Sequence, residues 1–150
     1  MSRLQLALNV ANLDEAIDFY SKFFATAPAK VRPGYANFAI AQPPLKLVLF
    51  EGSGAPGSIN HLGVEVESTD EVGAATARLA GLGFATDIEE QTTCCYAVQD
   101  KVWVDSPDGA RWEVYTVRSD ATGPEPSDAE LCCRPEPTVA LSLTPAAPCC

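Results

Sequence analysis

The chain has 150 residues, with ten lysines and arginines against twenty aspartates and glutamates, for a net charge of −10. That length gives one domain, or two small fused modules, with enough chain for a core, and 47% apolar and 20% charged residues are the proportions of a folded globular protein. The acidic balance excludes nucleic acid and anionic membrane as partners, because little in it displaces counterions from phosphate.

The first predicted element is a half-buried strand, Leu4 to Val10, in which apolar and polar or small residues alternate. Asn12 follows as an N-cap with Glu15 three residues on, the spacing of a capping box. Leu13, Ala16, Ile17, Tyr20 and Phe24 then recur at helical intervals and make one apolar face. Arg32-Pro33-Gly34 reads as a turn, Tyr35 to Ala41 as a strand, Pro43-Pro44 as a break and Leu45 to Phe50 as another strand. Gly52 to Ser58 is a linker.

The same order restarts 56 residues later. His61 to Val66 alternates again, and Ser68 with Glu71 repeats the cap of Asn12 with Glu15. Val72, Ala75, Thr76 and Leu79 supply the inner face of a second helix, which Gly81 and Gly83 end. Strands are expected around Phe84–Asp87, Cys94–Gln99 and Val102–Asp105. Ser106-Pro107-Asp108-Gly109 is a turn, and Arg111 to Val117 is the last strand. The fold class is therefore α+β: two tandem βαβββ modules, residues 1–52 and 59–118, whose sheets join into a cupped mixed sheet.

Composition changes near residue 119. Residues 119–150 hold six of the twelve prolines, four of the six cysteines, one arginine, five acidic residues and no aromatic side chain. Such a segment does not bury enough apolar surface to offset its ordering entropy and reads as a mobile acidic tail. All six cysteines are doublets: Cys94-Cys95, Cys132-Cys133 and Cys149-Cys150. Neighbours joined by a trans peptide are poor disulfide partners, and the spacing is not that of a secreted scaffold. With no signal peptide at the start and no apolar run near the ~20 residues of a membrane span, the expected compartment is a reducing cytoplasm, where the doublets are dithiols suited to a soft, thiophilic centre.

The repeat brings three side chains together. The 56-residue offset superposes Gln5 on His61, both opposite the leucine/valine row of their strands, and Glu113 shares a face with Arg111 and Tyr115 in the last strand. If the sheets join, an amide oxygen, an imidazole nitrogen and a carboxylate converge on a site for Fe(II), Mn(II) or a related divalent ion. Val48 aligns with Glu113, so a fourth ligand is absent and positions stay open for a small molecule. Glu113 also reads as a cross-strand partner of Lys101 or Arg111. Cys94-Cys95 reads either as two small half-buried hydrophobes or, with a bulge at Thr92-Thr93 turning both sulfurs one way, as a clamp for trivalent arsenic that Tyr96 covers.

The runs Met1 to Val10, Arg32 to Ala41, Pro43 to Leu49, Asn60 to Val66 and Cys94 to Val104 resemble the bacterial C–As lyases. These are non-haem iron dioxygenases of the vicinal oxygen chelate (glyoxalase/bleomycin resistance) superfamily; the cadmium-induced proteins share much of the pattern. The resemblance spans nearly all of residues 1–118. It implies cleavage of the carbon–arsenic bond of trivalent organoarsenicals, methylarsonous acid and trivalent aromatic arsenicals alike, with release of arsenite. It implies Fe(II), or another divalent metal in its place, on Gln5, His61 and Glu113, with O2 as cosubstrate and Cys94, Cys95 and Tyr96 on the substrate. Cys132, Cys133, Cys149 and Cys150 are expected to capture arsenic(III) on the tail. The chain is expected as a monomer or homodimer. The competing readings are a non-catalytic cadmium- or arsenite-binding resistance protein and a glyoxalase-like or thiol-transferase member of the superfamily.

Overall fold

A computed structural model describes residues 2–94 and 96–122. The first module comprises β1 (Arg3–Val10), α1 (Leu13–Phe24), β2 (Lys30–Arg32), β3 (Tyr35–Ile40) and β4 (Leu45–Glu51). The second comprises β5 (Ile59–Glu65), α2 (Thr69–Gly81), β6 (Asp87–Cys94), β7 (Ala97–Asp105) and β8 (Arg111–Asp120). Each is βαβββ, and β8 continues two residues past 118.

Both helices start where their caps predict. The Asn12 side chain accepts from the Glu15 N–H at 3.0 Å. At α2 the capping box is complete, with Glu71 accepting in return from the backbone N–H of Ser68. Leu13, Ala16, Ile17, Tyr20 and Phe24 of α1 pack on Leu6, Leu8, Phe38, Leu47 and Leu49. From α2, Val72 and Leu79 pack on Val66, Val102, Val104 and Val114.

The eight strands form one mixed sheet in the order β2-β3-β4-β1-β5-β8-β7-β6. β1 and β5 meet antiparallel at the centre, and each pairs on its other side with the last strand of its own module in parallel. The helices cover one face. Because side chains alternate along a strand, the residues between those apolar positions point to the other face: Gln5, Ala7 and Asn9 of β1, Lys46 and Val48 of β4, His61 and Gly63 of β5, Glu113 and Tyr115 of β8. That face is buried without a helix over it because the sheet curls. Lys30 of β2 reaches Asp120 at the end of β8 and donates to the Tyr96 carbonyl at 3.1 Å, and the Tyr35 and Tyr96 rings lie 5.7 Å apart.

Three expectations need correction. The turn read at Arg32-Pro33-Gly34 is present at Pro33-Gly34, but the short strand before it, β2, was not read; it pairs antiparallel with β3 across that turn. The strands expected at Cys94–Gln99 and Val102–Asp105 are one, β7, because the polar run Gln99-Asp100-Lys101 continues the ladder fully buried. The chain also reverses at its start: Cys94 pairs with Ala97, and Tyr96 takes a left-handed φ of 64°. The bulge in β6 falls between Glu89 and Thr92, with Gln91 at φ 51°, rather than at Thr92-Thr93. The Asp100 carboxylate holds it by accepting the Gln91 N–H at 2.8 Å. Among the described residues no helix is long and apolar enough to cross a membrane.

Candidate metal and substrate site

Gly63 pairs with Gln5 of β1 on one side and with Glu113 of β8 on the other, so two polar side chains flank a residue with none. A Cβ on Gly63 would stand 2.9 Å from the Cγ of Glu113 and 3.4 Å from the Cβ of Gln5. The gap is what lets the two side chains lean together over β5. His61, two residues back on the same face, completes the group.

The distances are those of a single cluster. Gln5 Nε2 lies 2.6 Å from Glu113 Oε1 and 2.9 Å from His61 Nε2, and His61 Nε2 lies 3.3 Å from Glu113 Oε1. All three side chains are buried. Metal–donor bonds of about 2.1 Å at right angles separate neighbouring donors by about 3 Å, so the three positions match one face of an octahedral centre. Among the described residues no group of three His, Cys, Asp or Glu side chains is placed to hold a metal. A metal held here would need the neutral Gln5 amide as its third donor, and that amide now turns Nε2 to the cluster.

Neighbouring groups prepare the other two donors. His61 Nδ1 lies 2.7 Å from Asn60 Oδ1; the Asn60 amide donates to Asn9 Oδ1 at 3.0 Å, and Asn9 donates to Ser58 Oγ at 2.8 Å. With Asn60 Oδ1 turned to the ring, a neutral imidazole keeps its proton on Nδ1, which would leave the Nε2 lone pair for a metal. Trp103 packs its ring edge-on to His61 at 5.3 Å. Burial pushes the Glu113 carboxyl up, but Lys101 and His61 outweigh it and hold it down at about 2, so the carboxylate is ionised at any neutral pH. Lys101 Nζ stands 3.2 Å from Glu113 Oε2, and that buried oxygen has no well-aligned hydrogen bond. Glu113 therefore stands beside Gln5 and His61 through one oxygen and beside Lys101 through the other.

A second layer lies behind Gln5. The buried Tyr115 hydroxyl sits 2.5 Å from Gln5 Oε1 and 3.0 Å from Glu65 Oε2. Arg3 grips both oxygens of Glu65, at 3.0 and 3.2 Å, and Lys46 Nζ stands 3.5 Å away. Burial raises the Glu65 carboxyl, but Arg3 and Lys46 bring it below the usual range. Lys46 itself is lowered, chiefly by burial.

A cavity of about 20 Å³ opens onto the cluster. Gln5, His61 and Glu113 line it together with Cys94, Val48, Tyr35, Lys46, Gln99, Lys101 and Trp103. Cys94 and the three expected ligands thus share one space, with apolar Val48 where a fourth ligand would stand. Cys94 is disulfide-bonded, against the expectation of a free dithiol. That expectation rested on a reducing compartment and on the poor pairing geometry of adjacent cysteines; Cys94 sits where the chain reverses. Cys95, Cys132, Cys133, Cys149 and Cys150 lie outside the described residues. Tyr96 does not line the cavity; it packs on Tyr35, which does, and under the Arg32 guanidinium at 5.9 Å. Sequence reasoning missed Gly63, Asn60, Tyr115 and Glu65. Gly63 alone carried a signal, since the repeat sets it opposite Ala7, the other small residue beside the cluster.

The chain matches the Glyoxalase/Bleomycin resistance protein/Dioxygenase superfamily over residues 3–114. It is 56% identical over 151 residues to a trivalent organoarsenical cleaving enzyme of Thermomonospora curvata, covering 100% of both chains. It is 55% identical to the cadmium-induced protein CadI of Mycobacterium bovis, covering 95% of this chain and 99% of that protein. Among solved structures, an extradiol ring-cleaving dioxygenase from B. fuscum superposes with a TM-score of 0.60 at 18% identity, over 79% of this chain and 33% of that one. At that identity the likeness is one of fold.

Proposed function

The chain belongs to the Glyoxalase/Bleomycin resistance protein/Dioxygenase superfamily, and from that premise we propose that it is an enzyme cleaving the carbon–arsenic bond of trivalent organoarsenicals to release arsenite. The observation that carries this reading is the shared cavity: Cys94 lines the same small space as Gln5, His61 and Glu113. A soft sulfur ligand suits trivalent arsenic, and a set of amide oxygen, imidazole and carboxylate suits Fe(II). The name of the Thermomonospora curvata relative supports the substrate class.

Gln5 Oε1, His61 Nε2 and Glu113 Oε1 would hold the metal. Bound there, Fe(II) supplies the one-electron chemistry that lets O2 react with a closed-shell substrate. The remaining tasks fall to the chain. Reduced Cys94, with Cys95, binds the arsenic centre and exchanges two As–OH groups for As–S bonds, releasing two waters. Those bonds fix the organic group beside the cluster, and proximity of this kind is a main source of rate. Pentavalent arsenicals, which do not form that dithiolate, are not substrates until reduced. Tyr35, Val48 and Trp103 line the cavity and limit water. A cavity of about 20 Å³ holds about one water, so a methyl substituent suits it better than an aryl group.

The test is aerobic incubation of reduced, Fe(II)-loaded protein with methylarsonous acid, with arsenite measured over time. Arsenite release that needs Fe(II), O2 and both cysteines is the expected result; no release, or equal release from Cys94→Ser/Cys95→Ser, overturns the reading. The name of the Mycobacterium bovis relative favours a second reading, a soft-metal-binding resistance protein without turnover. Glu113→Ala separates the two: it stops an enzyme but leaves cadmium or arsenite binding by a buffer unchanged.

A further inference from the structure

Gln5 can present either end of its amide to the cluster, and the two ends do opposite things. With Nε2 inward, its two hydrogens go to Glu113 Oε1 at 2.6 Å and His61 Nε2 at 2.9 Å, and Oε1 outward accepts from the Tyr115 hydroxyl at 2.5 Å. That arrangement is satisfied without a cation and blocks one. With Oε1 inward, three lone-pair donors face each other within 2.6–3.3 Å. This is unfavourable unless a cation lies among them.

What stands behind Gln5 decides between the ends. A tyrosine hydroxyl has one hydrogen to give and can accept from elsewhere. Among the described residues the Tyr115 oxygen has two hydrogen-bond neighbours, Gln5 Oε1 at 2.5 Å and Glu65 Oε2 at 3.0 Å. Glu65 is gripped by Arg3 at both oxygens and approached by Lys46 at 3.5 Å, so it is a carboxylate and only accepts. When the Tyr115 hydrogen points to Glu65, the hydroxyl oxygen faces Gln5 as an acceptor, and the amide end that suits it is Nε2. Oε1 then turns to His61 and Glu113.

We infer that Tyr115, directed by Glu65, is a positioning residue that sets the orientation of the Gln5 amide, and that this amide turns over as a divalent metal binds. The inference rests on the metal-centre reading above. Glu65 stabilises the binding-competent state by drawing the Tyr115 hydrogen away from Gln5; the bond it gains there is charge-assisted and so among the stronger kinds. Groups that orient a ligand in this way typically change metal affinity by about 10- to 100-fold when removed.

Reversing the hydrogen gives a test that simple loss of packing does not reproduce. Without the Glu65 carboxylate, Tyr115 donates to Gln5 Oε1 and locks the blocking orientation. Removing Tyr115 as well releases that lock. The full-length chain, metal-free and reduced, is titrated with Co(II) alone, read by visible absorption and chelator competition, with thermal unfolding of each metal-free variant alongside. Wild type binds one Co(II), Tyr115→Phe binds it more weakly, and Glu65→Ala falls furthest, by about 10- to 100-fold. The double variant Glu65→Ala/Tyr115→Phe then binds more tightly than Glu65→Ala alone. If Glu65→Ala does not fold, Glu65→Gln replaces it, with a smaller loss and the same partial recovery. Affinity that falls further in the double variant, or that neither single variant changes, overturns the inference while leaving the metal centre standing. A wild type that binds no Co(II) overturns the centre and the inference together.

Discussion

Glu113 is ionised in the interior because two neighbours compensate its burial. Lys101 and His61 hold its carboxyl at about 2, against an ordinary 4.5. A carboxyl with a depressed folded-state pKa stabilises the fold fully above its unfolded value, and that contribution is lost as pH falls through the folded value. Urea unfolding of metal-free protein should therefore show stability falling between pH 4.5 and 2. Glu113→Gln, which has no proton to gain, should show a flatter acid limb over that interval. The neighbours of the cluster make equally local predictions. Asn60→Ala removes the acceptor that sets the His61 tautomer and should weaken Co(II) binding by about 10- to 100-fold, while Asn60→Asp, which keeps an acceptor facing Nδ1, should restore most of it. Gly63→Ala brings a methyl to 2.9 Å from the Cγ of Glu113. It should destabilise the fold by about 1–3 kcal/mol and weaken metal binding, both read on the same purified variant.

Elements divide the labour between the two faces of the sheet. The helices stabilise from one face and the cluster occupies the other, so damage to a helix cap should not reach the cluster. Ser68→Ala breaks the capping box of α2 and should cost about 1 kcal/mol by urea unfolding with Co(II) affinity unchanged; a parallel loss of affinity would show that the faces are coupled. The same division explains what was legible in the sequence. Helices and central strands are amphipathic about one apolar core, so their period and caps stood out, and the 56-residue repeat aligned Gln5 with His61. β7 was read in two pieces because Gln99, Asp100 and Lys101 look like solvent-facing residues, yet they are buried and satisfied by partners on other elements: Gln99 by the Cys94 carbonyl, Asp100 by Thr69, Gln91 and Arg118, and Lys101 by Glu113. The reversal after Cys94 was illegible for a different reason. Tyr96 takes the left-handed conformation at φ 64°, where turn signals normally rest on Gly or Asn. Tyr115 and Glu65 were hidden because their roles depend on which way one hydrogen points.

At the scale of the molecule, the two modules are related by a pseudo-twofold axis between β1 and β5, and the cluster straddles it. Gln5 pairs with Gly63 and Ala7 pairs with His61, so each module sets one polar cluster residue and one small residue across the axis. The relation extends one strand outward: Ala7 pairs with Val48 as Gly63 pairs with Glu113. Val48 therefore occupies the place of Glu113 in the other module, and its isopropyl group would keep one side of the proposed centre open. Val48→Glu should close it. Without metal, a second buried carboxylate near Glu113 is expensive to ionise, so the metal-free variant should be less stable than wild type. With metal, the added carboxylate becomes a fourth protein ligand, so Co(II) should bind more tightly and raise the thermal unfolding temperature by more than it does for wild type. Arsenite release from methylarsonous acid should fall sharply in the same variant, because the position the reaction needs is filled. Tighter metal binding with lost turnover is the signature of an open coordination site. Val48→Glu protein that binds metal no better, yet turns over normally, would show that the symmetry of the sheet does not extend to its chemistry.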